Sequence, residues 1–248
     1  MERAFAIVTA LALSITLARS AELRVAAAAS LDESITEICD LYTKMHGTLA
    51  RPVLAGSNVL ARQISLGAPI DVFLSADNRT MATLIEAGHV TDSTPLLENR
   101  LVVVIPLESE VKITSAEDLL ALRKIAIGDP AAVPAGIYAK KWLEAAGQWQ
   151  KLSPRFVGTE NVRGALAAVE AGNVQAAIIY RTDAAISTKV KIAFEVPSAE
   201  LPEIIYPVAV CTRAADLPEA LKFVKFLRSP EAKAVFKKRG FGIVKGDP

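Results

Sequence analysis

One unit recurs along the chain and constrains it more than any other feature: a short apolar run, a loop of small residues, then a segment with helical apolar spacing. Leu23-Arg24-Val25 leads through Ala26 to Ala29 into Ser30 and a helix that stops near Gly47. Val53-Leu54 leads through Ala55-Gly56 to Ser57 and a helix over Val59 to Leu66. Asp71 to Leu74 leads through Ser75-Ala76-Asp77 to a helix ending at Gly88. The pattern returns at Lys124 to Ile127 with a helix from about Ala135 to Ala146, and at Phe156-Val157 with a helix over Val162 to Ala171. Strands that alternate with helices predict an α/β fold whose sheets are mostly parallel and covered on both faces.

The length of 248 residues allows two lobes of about 100 residues each. Leu101 to Ile105 and Tyr206 to Val210 are the runs expected to pass between them. The predicted organisation is a first lobe built from 21–100 with 206–248 and a second from 101–205. At the N-terminus, Arg3 precedes an apolar stretch from Ala4 to Leu17, and Ala18-Arg19-Ser20 offers small residues before a cut. Residues 1–20 read as a cleaved export signal, too short for a membrane span of roughly 20 apolar residues. The whole chain carries 28 Lys and Arg against 27 Asp and Glu, which gives no reason to expect nucleic acid as a partner. His46 and His89 lack a Cys or carboxylate cluster at ligand spacing, so no zinc site is expected. Cys39 and Cys211 both lie in apolar patterns and read as small buried hydrophobes.

Ligands of open α/β sheets sit beyond the carboxyl ends of the strands, against helix starts. Such starts carry free N–H groups and a positive dipole end, so they hold anions without Lys or Arg. Four loops here end in small residues where a helix begins: Ala29-Ser30, Gly56-Ser57-Asn58, Val133 to Gly136 and Asn161-Val162. A plainer account competes at each loop taken singly. Ser30 with Glu33 fits a capping box, and Ser57 and Asn161 fit ordinary caps.

Taken in order, the motifs form a recognisable series. It runs Ala27-Ala28-Ala29-Ser30-Leu31, Leu60-Ala61-Arg62-Gln63-Ile64, Asp71 to Asp77, Gly128-Asp129-Pro130, and Val133-Pro134-Ala135-Gly136-Ile137-Tyr138-Ala139-Lys140. It continues with Asn161-Val162-Arg163-Gly164-Ala165-Leu166, Tyr180-Arg181-Thr182-Asp183-Ala184 and Tyr206-Pro207-Val208-Ala209. This series resembles the molybdate-binding periplasmic proteins of ABC transporters over essentially the whole chain after residue 20.

The resemblance implies the two-lobed periplasmic-binding-protein fold (type II), with molybdate or tungstate held between lobes for delivery to an ABC permease in the membrane. It implies five contacts: Ser30 and Ser57 through hydroxyl and backbone N–H, Ala135 and Val162 through backbone N–H, and Tyr180 through its phenolic O–H. No catalytic residue, no cofactor and no direct cation ligand is implied, because the metal enters as its oxyanion. A monomer in the periplasm is expected. The sequence departs from the family at Ala55-Gly56-Ser57-Asn58, where a serine-rich run is usual, and at Arg181-Thr182, where Gly-Ser is usual. The alternative is an enzyme acting on a phosphorylated or other oxyanionic substrate in the same cleft. Against it, the chain has no Gly-x-x-x-x-Gly-Lys-[Ser/Thr] loop and no Gly-x-Ser-x-Gly elbow.

Overall fold

The structure is a computed structural model that describes residues 22–244. The export-signal reading of residues 1–20 lies outside them. Strand β1 (Leu23–Ala28) enters a short 3-10 turn (Ala29–Leu31) and then α1 (Asp32–His46). The unit repeats as β2 (Ala50–Ala55) with α2 (Ser57–Ser65), and β3 (Val72–Leu74) with α3 (Asn78–Glu86). Next, β4 (Thr94–Asn99) and β5 (Leu101–Pro106) are separated by Arg100 alone. The units then resume with β6 (Ile125–Gly128), α4 (Pro134–Ala145), α5 (Trp149–Leu152), β7 (Phe156–Thr159), α6 (Val162–Glu170), β8 (Ala176–Tyr180) and α7 (Arg181–Ala184). The described chain finishes with β9 (Val190–Glu195), β10 (Ile204–Val210), α8 (Leu217–Phe226), α9 (Pro230–Lys238) and β11 (Gly242–Ile243).

The strands form two sheets, ordered β11-β4-β10-β3-β1-β2 and β7-β6-β8-β5-β9, so the molecule is a two-lobed α/β protein. Both sheets are mixed. The expected parallel pairing holds where a helix returns the chain, in β3-β1-β2 and in β7-β6-β8. The other pairings are antiparallel. The reason is connectivity: β4 hands the chain to β5 across Arg100, and β9 hands it to β10 across residues 196–203. Neither of these two links carries an α-helix that would return the chain as a parallel neighbour. Leu101–Ile105 and Tyr206–Val210 therefore each lie within one sheet, and the crossings are Arg100 and residues 196–203.

The helices sit where their apolar faces put them. Helix α1 buries Ile35, Ile38, Cys39 and Tyr42, a 3-4 spacing that covers one stripe of the first sheet. Each large aliphatic side chain buried this way contributes about 1.5–3 kcal/mol. Gly47, at φ +77°, ends α1 in the left-handed conformation that glycine adopts without strain. Proline falls where strands tolerate it: Pro52 on the edge strand β2, and Pro207 at a bulge in β10. Trp142 stacks on Phe194 at 5.7 Å and donates its indole N–H to Glu200, while Trp149 stacks on Phe156. Cys39 and Cys211 are free and buried in different apolar clusters. Burial pushes both thiols up to about 12.

Candidate functional site, a cavity between the lobes

Ser30, Ser57, Ala135, Val162 and Tyr180 all line one cavity. The first two come from the lobe of β1 to β4, the other three from the lobe of β5 to β9. The cavity encloses ≈220 Å³ between atoms, its mouth included.

Each position follows from local structure. Pro134 opens α4 and has no N–H, so Ala135 carries the first free amide of that helix. Helix α4 starts hard against the end of β6: a Cβ at Gly136 would lie 2.0 Å from the Gly128 carbonyl oxygen, so only glycine fits there. Asn161 caps α6, its Oδ1 accepting the Gly164 N–H at 3.1 Å, which leaves the Val162 amide free. That cap is as the sequence suggested. Ser57 is not a cap. It is the first residue of α2, and its Oγ accepts the Ala76 N–H at 2.9 Å. Nor do Ser30 and Glu33 make a capping box, because Ser30 Oγ lies 3.0 Å from Tyr206 Oη and Glu33 is held by Arg163.

Tyr180 ends β8 with its side chain 1% exposed, and its hydroxyl has no hydrogen-bond partner among the described residues. Burial raises its pKa well above the usual value, with Tyr206, Tyr138, Asp77 and Asp183 adding to the effect. The group therefore stays protonated and offers a donor. A buried, unpartnered O–H facing a cavity is costly unless something there accepts from it.

Behind these donors lies a charged cluster that sequence reasoning missed. Arg163, next to Val162, binds Glu33 through two hydrogen bonds of 2.9 and 2.6 Å. Its Nε also lies 2.6 Å from Asp183 Oδ1, off the line of a hydrogen bond, as an ion pair. Burial raises the Asp183 carboxyl to about 7, against the lowering influence of Arg163. Asp129 accepts the Ala131 N–H in its own loop. Arg163 and Asp183 stand inside the quoted motifs, but nothing in their spacing signalled that they meet. Among the described residues no group of three or more His, Cys, Asp or Glu side chains is placed to hold a metal ion. The wall offers N–H and O–H groups.

Residues 23–242 match the family described as bacterial extracellular solute-binding protein. The chain belongs to that family. Its members bind solutes and are not enzymes. The chain is 38% identical to the molybdate-binding protein ModA of Escherichia coli (strain K12), over 92% of this chain and 91% of that protein. It is 31% identical to the substrate-binding domain assigned to a molybdenum ABC transporter of Clostridium difficile, with a TM-score of 0.70 over 90% of this chain and 99% of that one. The periplasmic molybdate-binding protein of Azotobacter vinelandii shares the fold, with a TM-score of 0.79 at 22% identity over 90% of this chain and 100% of that one.

Proposed function

We propose that this protein binds molybdate, and tungstate as well, in the cleft between its lobes and delivers the ion to an ABC permease from the periplasm, after removal of residues 1–20. The observation that carries the reading is the convergence of donors on one small cavity: amides at three helix starts, two serine hydroxyls and the orphan hydroxyl of Tyr180. A tetrahedral dianion with only acceptor oxygens satisfies such a wall, and the dipole ends of α2, α4 and α6 favour its charge. Donors come from both lobes, so the ion makes its full set of contacts only when they close on it. The permease then reads the closed form as the loaded one. The relatives named for molybdate support the choice of ion.

Calorimetric titration at about pH 8 with molybdate, tungstate, sulfate and phosphate tests the reading. Molybdate and tungstate are expected to saturate one site per chain, with phosphate failing to displace them at comparable concentration. Absence of binding by all four ions, or displacement by phosphate, overturns it.

A further inference from the structure

A serine hydroxyl can donate or accept, so a donor-only wall needs something to set the direction of Ser30. Asn99, the last residue of β4, lies at the crossing between lobes. Its Oδ1 accepts the Arg100 N–H at 2.8 Å, which fixes the orientation of the amide. Its Nδ2 then donates both protons, to Thr182 Oγ1 at 2.8 Å and to Tyr206 Oη at 3.1 Å. Tyr206 is fully buried, so its own proton needs an acceptor, and Ser30 Oγ stands 3.0 Å away. A bulge between Tyr206 and Pro207 interrupts the ladder of β10 at that point, and bulges commonly re-aim a side chain.

We infer that Tyr206, oriented by Asn99, is a positioning and specificity-determining residue that locks the Ser30 hydroxyl as a donor toward the bound anion. The chain of hydrogen bonds runs one way, from Asn99 through Tyr206 and Ser30 into the cavity. Ser57 is locked by a different device, the Ala76 N–H that occupies its oxygen. Both serines therefore face the ligand with protons. This inference rests on the oxyanion reading above and adds to it the means of rejection. Hydrogen phosphate brings an O–H that needs an acceptor, and Ser30 cannot turn to supply one. Without the Tyr206 hydroxyl, Ser30 is free to rotate and accept.

The test measures the ratio of molybdate to phosphate affinity at about pH 8 for the wild type, Tyr206→Phe, Ser30→Ala and the double variant. Tyr206→Phe is expected to lower that ratio by about tenfold, because the freed Ser30 hydroxyl can accept the phosphate O–H that the locked one leaves unsatisfied. In the Ser30→Ala background the same change is expected to leave the ratio where it is, because Tyr206 acts through Ser30. Equal weakening of both ions by Tyr206→Phe, or an undiminished effect without the Ser30 hydroxyl, overturns the inference. Neutron diffraction of the deuterated wild-type complex reads the direction without any variant. A Tyr206 deuteron on Ser30 and a Ser30 deuteron on the anion are expected; a Ser30 deuteron on Tyr206 overturns the inference. A wild type that binds molybdate with the ratio unmoved by Tyr206→Phe sinks this inference alone, whereas a wild type that binds no molybdate sinks both readings.

Discussion

Arg163 of α6 grips Glu33 of α1 across the cleft, each guanidinium Nη on its own carboxylate oxygen at 2.9 and 2.6 Å. The two helices belong to different lobes, since α1 packs on β1 and β2 and α6 on β6 and β8. The pair joins the two lobes and is partly buried, with side-chain exposures of 22% and 34%. Burial alone would raise the Glu33 pKa, but the hydrogen bonds and charge of Arg163 outweigh it and hold the carboxyl low.

Glu33→Gln is therefore expected to weaken molybdate binding with little change in the unfolding of the ligand-free protein. A two-pronged, partly buried pair is worth about 1 kcal/mol, or roughly fivefold in affinity. Stopped-flow measurements should place the loss in the dissociation rate. An unchanged dissociation rate would mean that the pair does not hold the lobes together.

Gly56→Ala tests closure from the other side of the cleft. Its φ of −60° accepts alanine, yet a Cβ there would lie 2.9 Å from the Glu160 carbonyl oxygen in the opposite lobe and 2.7 Å from Asn58 Oδ1. Overpacking of this kind costs about 1–3 kcal/mol, so affinity should fall about five- to a hundredfold while the fold persists. Small-angle scattering should show a weaker ligand-induced compaction than in the wild type. Full compaction at wild-type affinity would contradict the close approach of Gly56 to Glu160.

Two hydroxyl variants separate binding from folding. Tyr180→Phe removes a buried hydroxyl that has no hydrogen-bond partner among the described residues, so the thermal midpoint of the ligand-free protein should hold or rise. Molybdate affinity should fall about tenfold, as for one hydrogen bond to a charged acceptor. Ser57→Asp turns a donor into a carboxylate facing the dianion and should cost at least about tenfold. Wild-type affinity in either variant, by calorimetry, would remove that residue from the site.

Asp183 gives a pH signature. Its folded pKa of about 7 lies above its ordinary value of 3.8, because burial disfavours the carboxylate. Arg163 and Glu33 press on it in opposite senses, and the neutral hydroxyls of Tyr180 and Tyr206 lie nearby. The folded protein thus takes up a proton that the unfolded chain does not hold. Its contribution to stability is present below about pH 4 and is lost as pH rises through about 7. Urea unfolding across that range should show the wild type losing stability relative to Asp183→Asn as pH rises. A constant difference between the two would place the Asp183 pKa at its ordinary value.

The βα units were legible because each carries its own signal: an apolar run, small residues, then 3-4 spacing. The strands that flank the crossings were less so. β9 reads Val190-Lys191-Ile192-Ala193-Phe194-Glu195 with only Val190 buried, and β4 contains Pro95, so neither matches a buried parallel strand. At the site, the five residues implied by the resemblance all line the one cavity; the helix starts at Ser57, Ala135 and Val162 were legible as loops of small residues. Side-chain direction was not legible. Ser57 looks like a cap in sequence, yet Ala76, 19 residues away, occupies its oxygen. Tyr206 meets Ser30 across 176 positions, and Arg163 meets Glu33 across 130, through pairings that only the assembled lobes create.

Anomalous diffraction at the molybdenum edge, from crystals grown with molybdate, locates the bound ion. A single strong peak is expected between the lobes, with its oxygens in hydrogen-bond reach of the Ser30 and Ser57 hydroxyls, the Ala135 and Val162 amides and the Tyr180 hydroxyl. A peak elsewhere on the molecule, or none in the cleft at saturating molybdate, would mean that the cleft is not the molybdate site.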